Sequence, residues 1–277
     1  MSESAASITT LGQMLASRQR DGHRVHFQVT ADWGQGRTTF GGLLSALVVQ
    51  AMRDVCGADW PLRALQTNFV GPVAPGTMQV DVTLLRQGKN IRQVQARVTQ
   101  ADEQGIEQVG GVLLGVFGTG RASALPHLRP EQASVDKDPQ ASFKWPYIPN
   151  VTPAFTQHLD FRHAEGGMPF TGGTEWHSRT HVRLHEPEGV DAELQAVMLA
   201  DAGPTPALAR LQGFAPASSV SWALELRPVG EFASDGFWRM DKDALATGEG
   251  YVNEKTMLWS PTGELAALGY QVVAVYA

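Results

Sequence analysis

The chain has 277 residues and a formal net charge of −6, and its lysines and arginines are scattered along the sequence. The length suffices for one large or two ordinary domains, and a negative charge without a basic stretch disfavours a nucleic-acid partner. The longest apolar run is too short to span a bilayer, and no secretory signal is recognisable, so no membrane span is expected. A single cysteine, Cys56, excludes an intramolecular disulfide and predicts a reducing, cytoplasmic location.

The first predicted elements are a strand over residues 25–32 and a helix that follows Gly41 and Gly42. From residue 43 to residue 52 this helix is apolar around nearly its whole circumference, whereas a surface helix would show one apolar stripe. We therefore predict a helix that is surrounded by protein. The two glycines allow a backbone or a ligand to approach the helix start, although close packing alone would also explain them.

After the helix, alternating apolar and polar residues predict four strands, over residues 62–70, 78–86, 91–100 and 107–117. The order of strand, helix and four-stranded meander predicts an antiparallel sheet wrapped around one central helix. A series of prolines between residues 119 and 156 then predicts a connector without sustained regular structure.

The same plan repeats in the second half of the chain. Strands are predicted over residues 158–164 and 175–184, a helix over 191–202, and strands over 218–228, 237–247, 250–259 and 265–276. The turn at residues 102–105 aligns with the turn at 260–263, and the segment ending at Pro72 aligns with the one ending at Pro228. Two copies of one plan predict an N-terminal unit over residues 1–120, a connector over 121–156 and a C-terminal unit over 157–277.

This arrangement resembles the acyl-CoA thioesterase II group and its thioesterase-like relatives, and the resemblance covers nearly the whole chain, from about residue 25 to residue 276. The matching pieces are Thr39-Phe40-Gly41-Gly42, Phe69-Val70-Gly71-Pro72, Leu84-Leu85-Arg86-Gln87-Gly88, Leu199-Ala200-Asp201, Leu226-Arg227-Pro228, and Gly263-Glu264-Leu265 followed by Gln271. The resemblance implies an α+β double hotdog fold. In this fold two tandem units each hold a long central helix wrapped by a curved antiparallel sheet.

The resemblance also implies a catalytic Asp, a Thr or Ser, and a Gln in the second half, which together hold a water molecule. The Asp matches Asp201 and the Gln matches Gln271. Counting back from Arg227-Pro228 places the hydroxyl on Ser218, with Ser219 as the adjacent alternative.

These residue types suit the hydrolysis of a thioester, which requires an oriented water and a stabilised oxyanion. A carboxylate beside an apolar helix has a raised pKa and accepts a proton near neutral pH. The backbone N–H groups of Gly42 and Leu43 are candidate oxyanion donors, although the opposing half offers others. Asp201 would otherwise be a polar residue at a helix end, but an acid near a helix C-terminus is electrostatically unfavourable.

The predicted function is therefore hydrolysis of an acyl-CoA to a carboxylic acid and free coenzyme A, without a metal or other cofactor, in fatty acid metabolism. Exposed sheet edges usually need covering, so a homo-oligomer of two or more chains is expected. One alternative is a non-catalytic protein that binds acyl-CoA or lipid. Another is an enoyl-CoA hydratase, which would require an Asp–His pair that is not evident near Gly41 or Asp201.

Overall fold

The computed structural model describes residues 8–57, 60–135 and 137–277. The first half begins with helix α1 (Leu11–Ser17), strands β1 (Gln19–Asp21) and β2 (Arg24–Val29), a 3₁₀ turn (Ala31–Trp33) and a small ribbon of β3 (Gly34–Gln35) and β4 (Thr38–Thr39). It continues with helix α2 (Gly41–Cys56) and strands β5 (Leu62–Phe69), β6 (Gly76–Gln87), β7 (Ile91–Ala101) and β8 (Glu107–Gly118).

The second half repeats the core of this order, in which two strands precede a helix and four strands follow it. It comprises β9 (Phe143–Lys144), a 3₁₀ turn (Ala154–His158), β10 (Leu159–Gly166), β11 (His177–Leu184), helix α3 (Ala192–Ala200), a 3₁₀ turn (Pro206–Arg210), β12 (Ala217–Leu226), β13 (Trp238–Gly248), β14 (Tyr251–Trp259) and β15 (Leu265–Val275). Each predicted strand and helix is present within a few residues of its predicted bounds. Helix α1 was not predicted.

A single 13-stranded sheet joins the two halves in the order β1-β2-β6-β7-β8-β5-β12-β15-β14-β13-β11-β10-β9. Strands β5 and β12 pair antiparallel at its centre, with Leu65 opposite Leu224. The strand order on one side of this central pair repeats on the other side. The two halves therefore share one continuous network of backbone hydrogen bonds.

The predicted four-stranded meander after α2 is wrong. Strands β6, β7 and β8 do form successive hairpins, but β5 pairs with β8 and β12 instead of β6. Alternation along a strand reports which face is buried and carries no information on which strand lies beside it. In the second half, β12 likewise pairs with β15 and not with β13.

Helix α2 is buried on nearly every side, as its composition predicts. It packs against β2, β6, β7, β8 and α3, and Leu43, Leu47, Val48 and Val49 have no solvent exposure. Each such side chain contributes about 1.5–3 kcal/mol through burial. Helix α3 contacts β11, β14 and β15 in the other half, so the two helices pack against each other and against the sheet.

The connector runs from β8 near the centre of the sheet to β9 at its far edge. Between residues 119 and 142 its described residues form no helix or strand, and β9 then pairs with β10. Among the residues that the structure describes, no helix is long and apolar enough to cross a membrane.

Candidate active site

The two glycines at the start of α2 bring this helix into close contact with the end of α3. A Cβ atom on Gly42 would lie 2.4 Å from the Met198 carbonyl oxygen, and one on Gly41 would lie 2.7 Å from Oδ2 of Asp201. The first intrahelical hydrogen bond of α2 runs from the Leu44 N–H to the Phe40 carbonyl at 3.1 Å. The N–H groups of Gly41, Gly42 and Leu43 are therefore not used within the helix.

Asp201 follows the last residue of α3 and has helical backbone angles (φ −99°, ψ −6°). An acid at a helix C-terminus is unfavourable by itself, because the partial charge there is also negative. In this structure the carboxylate faces the start of α2, where the partial charge is positive, and the Gly42 N–H favours its ionised form. The start of one helix thus stabilises the carboxylate at the end of the other.

Gln271 links Asp201 to a serine of the neighbouring strand. Its Nε2 donates a hydrogen bond to Asp201 Oδ1 at 2.8 Å and another to Ser219 Oγ at 2.5 Å. Gln271 is 5% exposed, so these bonds satisfy both N–H groups of a buried amide. The structure therefore brings Asp201 and Gln271, the two residues that the resemblance selects, into contact.

The hydroxyl in this cluster belongs to Ser219, and Ser218 lies outside it. The side chain of Ser218 is exposed and its Oγ lies 3.5 Å from the Ser219 carbonyl oxygen. The cause is a β-bulge: Ser219 pairs with Val273 and Ser221 with Val272, which leaves Val220 without a partner in β15. One extra residue reverses which side chains face inward, so Ser219 contacts Gln271 and Ser218, the residue selected by counting back from Arg227-Pro228, does not.

Burial raises the pKa of Asp201 from its ordinary value of 3.8 to about 6. The positive charge of Lys242 and the hydrogen bond from Gln271 act in the opposite direction, as does the Gly42 N–H, whereas the negative charge of Glu254 adds to the rise. Asp201 retains partial contact with solvent. A carboxyl group with this pKa is largely ionised at neutral pH and accepts a proton more readily than an ordinary one does.

Two charged residues near Asp201, Lys242 and Glu254, were not predicted from the sequence. Lys242 is 2% exposed and Glu254 is 1% exposed, and their Nζ and Oε1 atoms lie 2.6 Å apart. A signal for Glu254 was present in the sequence. In β14 the inward positions alternate through Val252, Glu254, Thr256 and Leu258, so a charged residue stands where an apolar one is expected.

The matching region of the first half has different chemistry. Counted from the turn glycines Gly105 and Gly263, the residue of β8 that corresponds to Gln271 is Leu113, which is fully buried. At the start of α3, Arg53 forms ion pairs with Asp191 at 2.6 Å and with Glu193 at 2.7 Å. Arg53 therefore lies at the start of α3 with its charge paired, whereas Asp201 faces the start of α2.

An Asp–His pair is present elsewhere in the molecule. His158 Nε2 lies 3.1 Å from Asp32 Oδ2, and the imidazole stacks on Trp33 with ring centroids 3.9 Å apart. Burial lowers the pKa of His158. This pair is not part of the Asp201 cluster. Within residues 8–57, 60–135 and 137–277, no group of three or more His, Cys, Asp and Glu side chains is arranged to hold a metal ion.

Two family models cover most of the chain. Residues 29–118 match the acyl-CoA thioesterase N-terminal domain, and residues 130–275 match the acyl-CoA thioesterase C-terminal domain. No curated protein sequence is similar enough to the chain to count as a match.

Solved structures with the hotdog fold superpose on nearly the whole chain. A hotdog-fold protein of unknown function from Alicyclobacillus acidocaldarius has a TM-score of 0.82 at 19% identity, covering 98% of this chain and 99% of its own. The tesB protein of Mycobacterium avium subs paratuberculosis has a TM-score of 0.77 at 15% identity, covering 97% and 100%. The acyl-CoA thioesterase II TesB2 of Mycobacterium marinum has a TM-score of 0.71 at 14% identity, covering 96% and 98%. These similarities establish the hotdog fold.

Proposed function

Because the chain belongs to the acyl-CoA thioesterase family and is a thioester hydrolase, we propose that Asp201, Ser219 and Gln271 hold the water that attacks an acyl-CoA thioester. The observation that carries this proposal is the Gln271 amide, which donates to the Asp201 carboxylate and to the Ser219 hydroxyl at once. Because Ser219 Oγ accepts this bond, its own hydrogen is free to bind a third oxygen. A water beside Asp201 would supply that oxygen.

In the proposed reaction Asp201 accepts a proton as the water oxygen bonds to the thioester carbonyl carbon. The carbonyl π electrons move to its oxygen and form a tetrahedral oxyanion. When this intermediate collapses, the C–S bond breaks, the carboxylic acid forms and the sulfur leaves with the electron pair. The proton held by Asp201 then neutralises the coenzyme A thiolate, which returns the carboxylate to its starting state.

The start of α2 contributes backbone N–H groups to this reaction. The Gly42 N–H favours the ionised form of Asp201, so we assign Gly42 to stabilising the base. Leu43, on the same first turn, remains the proposed donor to the oxyanion. A good donor of this kind is worth roughly 3 to 4 kcal/mol in the transition state.

Two adjacent serines provide a matched test of the proposed site. Ser219→Ala should lower kcat/KM by roughly 10- to 100-fold, because it removes a hydrogen-bonding partner of a charged site. Ser218→Ala should leave kcat/KM within about twofold, because its hydroxyl is on the solvent side of the bulge. Release of free coenzyme A from a panel of acyl-CoA substrates, detected with a thiol reagent, gives both rates.

Ser219→Thr serves as the conservative variant, since it keeps the hydroxyl and should retain most of the activity. A Ser218→Ala enzyme that loses activity beside an active Ser219→Ala enzyme would reverse the assignment. If the unmodified protein binds acyl-CoA but hydrolyses no chain length, it is a binding protein. In that case no residue of the cluster is catalytic.

We also propose that the chain is divided into two structural units. Residues 1–120 and 157–277 would form two tandem hotdog units, one on each side of the central β5–β12 pair.

The outer face of the sheet exposes large apolar side chains, among them Leu85, Leu114 and Tyr270. We propose that a second copy of the chain covers this face. Light scattering tests the assembly, and a mass of 29.9 kDa, that of one chain, would contradict it.

The reducing, cytoplasmic location and the role in fatty acid metabolism remain predictions from the sequence.

A further inference from the structure

A buried ion pair lies beside the Asp201 cluster, and the proposed reaction gives it no role. Lys242 of β13 and Glu254 of β14 are almost completely inaccessible, and their charged atoms are 2.6 Å apart. Taking an ion out of water costs several kcal/mol, and apolar residues of similar size are often as stable or more stable. Stability therefore does not by itself explain why this pair is here.

Lys242 and Glu254 are connected to Asp201 through different contacts. Lys242 Nζ donates a hydrogen bond at 2.9 Å to the carbonyl of Gly203, which lies just beyond Asp201 in the chain. Glu254 lies directly opposite Gln271 in the β14–β15 ladder, and Gln271 donates to Asp201 Oδ1. Lys242 thus holds the backbone that carries Asp201, and Glu254 lies beside the amide that holds its carboxylate.

The Glu254 carboxylate has few other partners. In the described part of the chain neither of its oxygens accepts a hydrogen bond from another residue, so the ion pair with Lys242 is its main stabilising contact. The two opposite charges of this pair cancel at long range, but a group as close as Asp201 interacts with each of them, and a low dielectric constant strengthens both interactions. At Asp201 the effect of the carboxylate opposes that of the ammonium group.

We propose that Lys242 and Glu254 are positioning residues that act in opposition to set the pH at which Asp201 becomes ionised. The proposal rests on the proposed function, in which ionised Asp201 is the base. Lys242 favours the carboxylate and Glu254 favours the neutral acid. The other elements around Asp201 contribute uncharged groups: Ser219 from β12, Gln271 from β15 and the N–H of Gly42 from α2.

The pH dependence of kcat/KM tests this proposal. In the unmodified enzyme the rate should rise with pH through about 6, because only ionised Asp201 accepts a proton. Glu254→Gln should move this midpoint down by about one pH unit, since Lys242 then acts on Asp201 without an opposing anion. Lys242→Met should move it up by about the same amount, and the double variant should return close to the original midpoint.

A second measurement does not depend on turnover. The pKa of the Asp201 carboxyl can be followed by ¹³C NMR, with Asp201→Asn identifying its signal. Opposite shifts in the two single variants support the proposal even if no acyl-CoA is hydrolysed, in which case only the proposed function fails. Unchanged midpoints by both methods, or shifts in the same direction, overturn it and leave the pair with a structural role. If Lys242→Met does not fold, Glu254→Gln decides the question alone.

Discussion

Asp201→Asn should lower kcat/KM for acyl-CoA hydrolysis by roughly 10²- to 10⁴-fold, the range typical of a lost general base. The asparagine keeps the shape of the side chain and retains an oxygen that can accept from Gln271, but it cannot take a proton from water. Binding of acyl-CoA should persist, because the change leaves the size and shape of the side chain unaltered. Thiol release measures the rate, and a titration with acyl-CoA measures the binding.

The same variant should be at least as stable as the original protein at neutral pH. The folded state raises the pKa of Asp201 from 3.8 to about 6, so the folded state binds this proton more tightly than the unfolded state. The ionised group therefore disfavours folding above the folded pKa, by about 3 kcal/mol. This penalty develops between about pH 4 and about pH 6 and is absent at lower pH, where both states are protonated.

Two controls accompany this experiment. Asp21→Asn makes the same chemical change on an exposed strand, and it should alter neither the rate nor the stability. Thermal unfolding of Asp201→Asn separates loss of chemistry from loss of structure. A folded Asp201→Asn protein with undiminished hydrolysis would exclude Asp201 as the base.

Gly41→Ala should lower kcat/KM by roughly 10²-fold without unfolding the protein. The added methyl group would lie 2.7 Å from Asp201 Oδ2 and 3.0 Å from the Phe69 ring. The Asp201 carboxylate must then shift, and a misplacement of about 1 Å is enough for a loss of this size. Gly41 has helical backbone angles with negative φ, so alanine is compatible with this position of the helix.

Gly213→Ala is the control for this substitution, because no heavy atom lies within 4 Å of the added methyl group there. It should retain full activity. Gly42→Ala would be a poor choice, since its methyl group would meet the Met198 carbonyl at 2.4 Å and disturb helix packing as well. Full activity in Gly41→Ala would show that the Asp201 carboxylate does not need its observed position.

The elements were predictable because each has a clear local pattern. The helix at Gly41–Cys56 is apolar on most sides, and strands such as β6 and β14 alternate regularly. Helix α1 was missed although Thr10 and Gln13 form a capping box and Leu11, Met14 and Leu15 are spaced as one buried face. It is shorter than an average helix, and its apolar face is correspondingly small.

Strand order was not predictable from such patterns. The pairing of β5 with β8 and β12 depends on contacts between residues that are distant in sequence, and alternation in β5 is the same whichever strand lies beside it. Asp201 and Gln271 were identified through resemblance and their contact follows from the fold. The choice between Ser218 and Ser219 depended on the bulge at Val220, which leaves no clear mark in the sequence.

The contrast between Gln271 and Leu113 means that the two halves have different roles in the proposed mechanism. The second half would provide the reactive side chains, and the first half would provide the N–H groups of Gly42 and Leu43 at the start of α2. The pairing of β5 with β12 holds the two halves in a fixed register. The start of α2 and the Asp201 carboxylate are therefore positioned within one chain and need no association of separate molecules. In the proposed mechanism Leu113 therefore has only to fill its buried position in the first half.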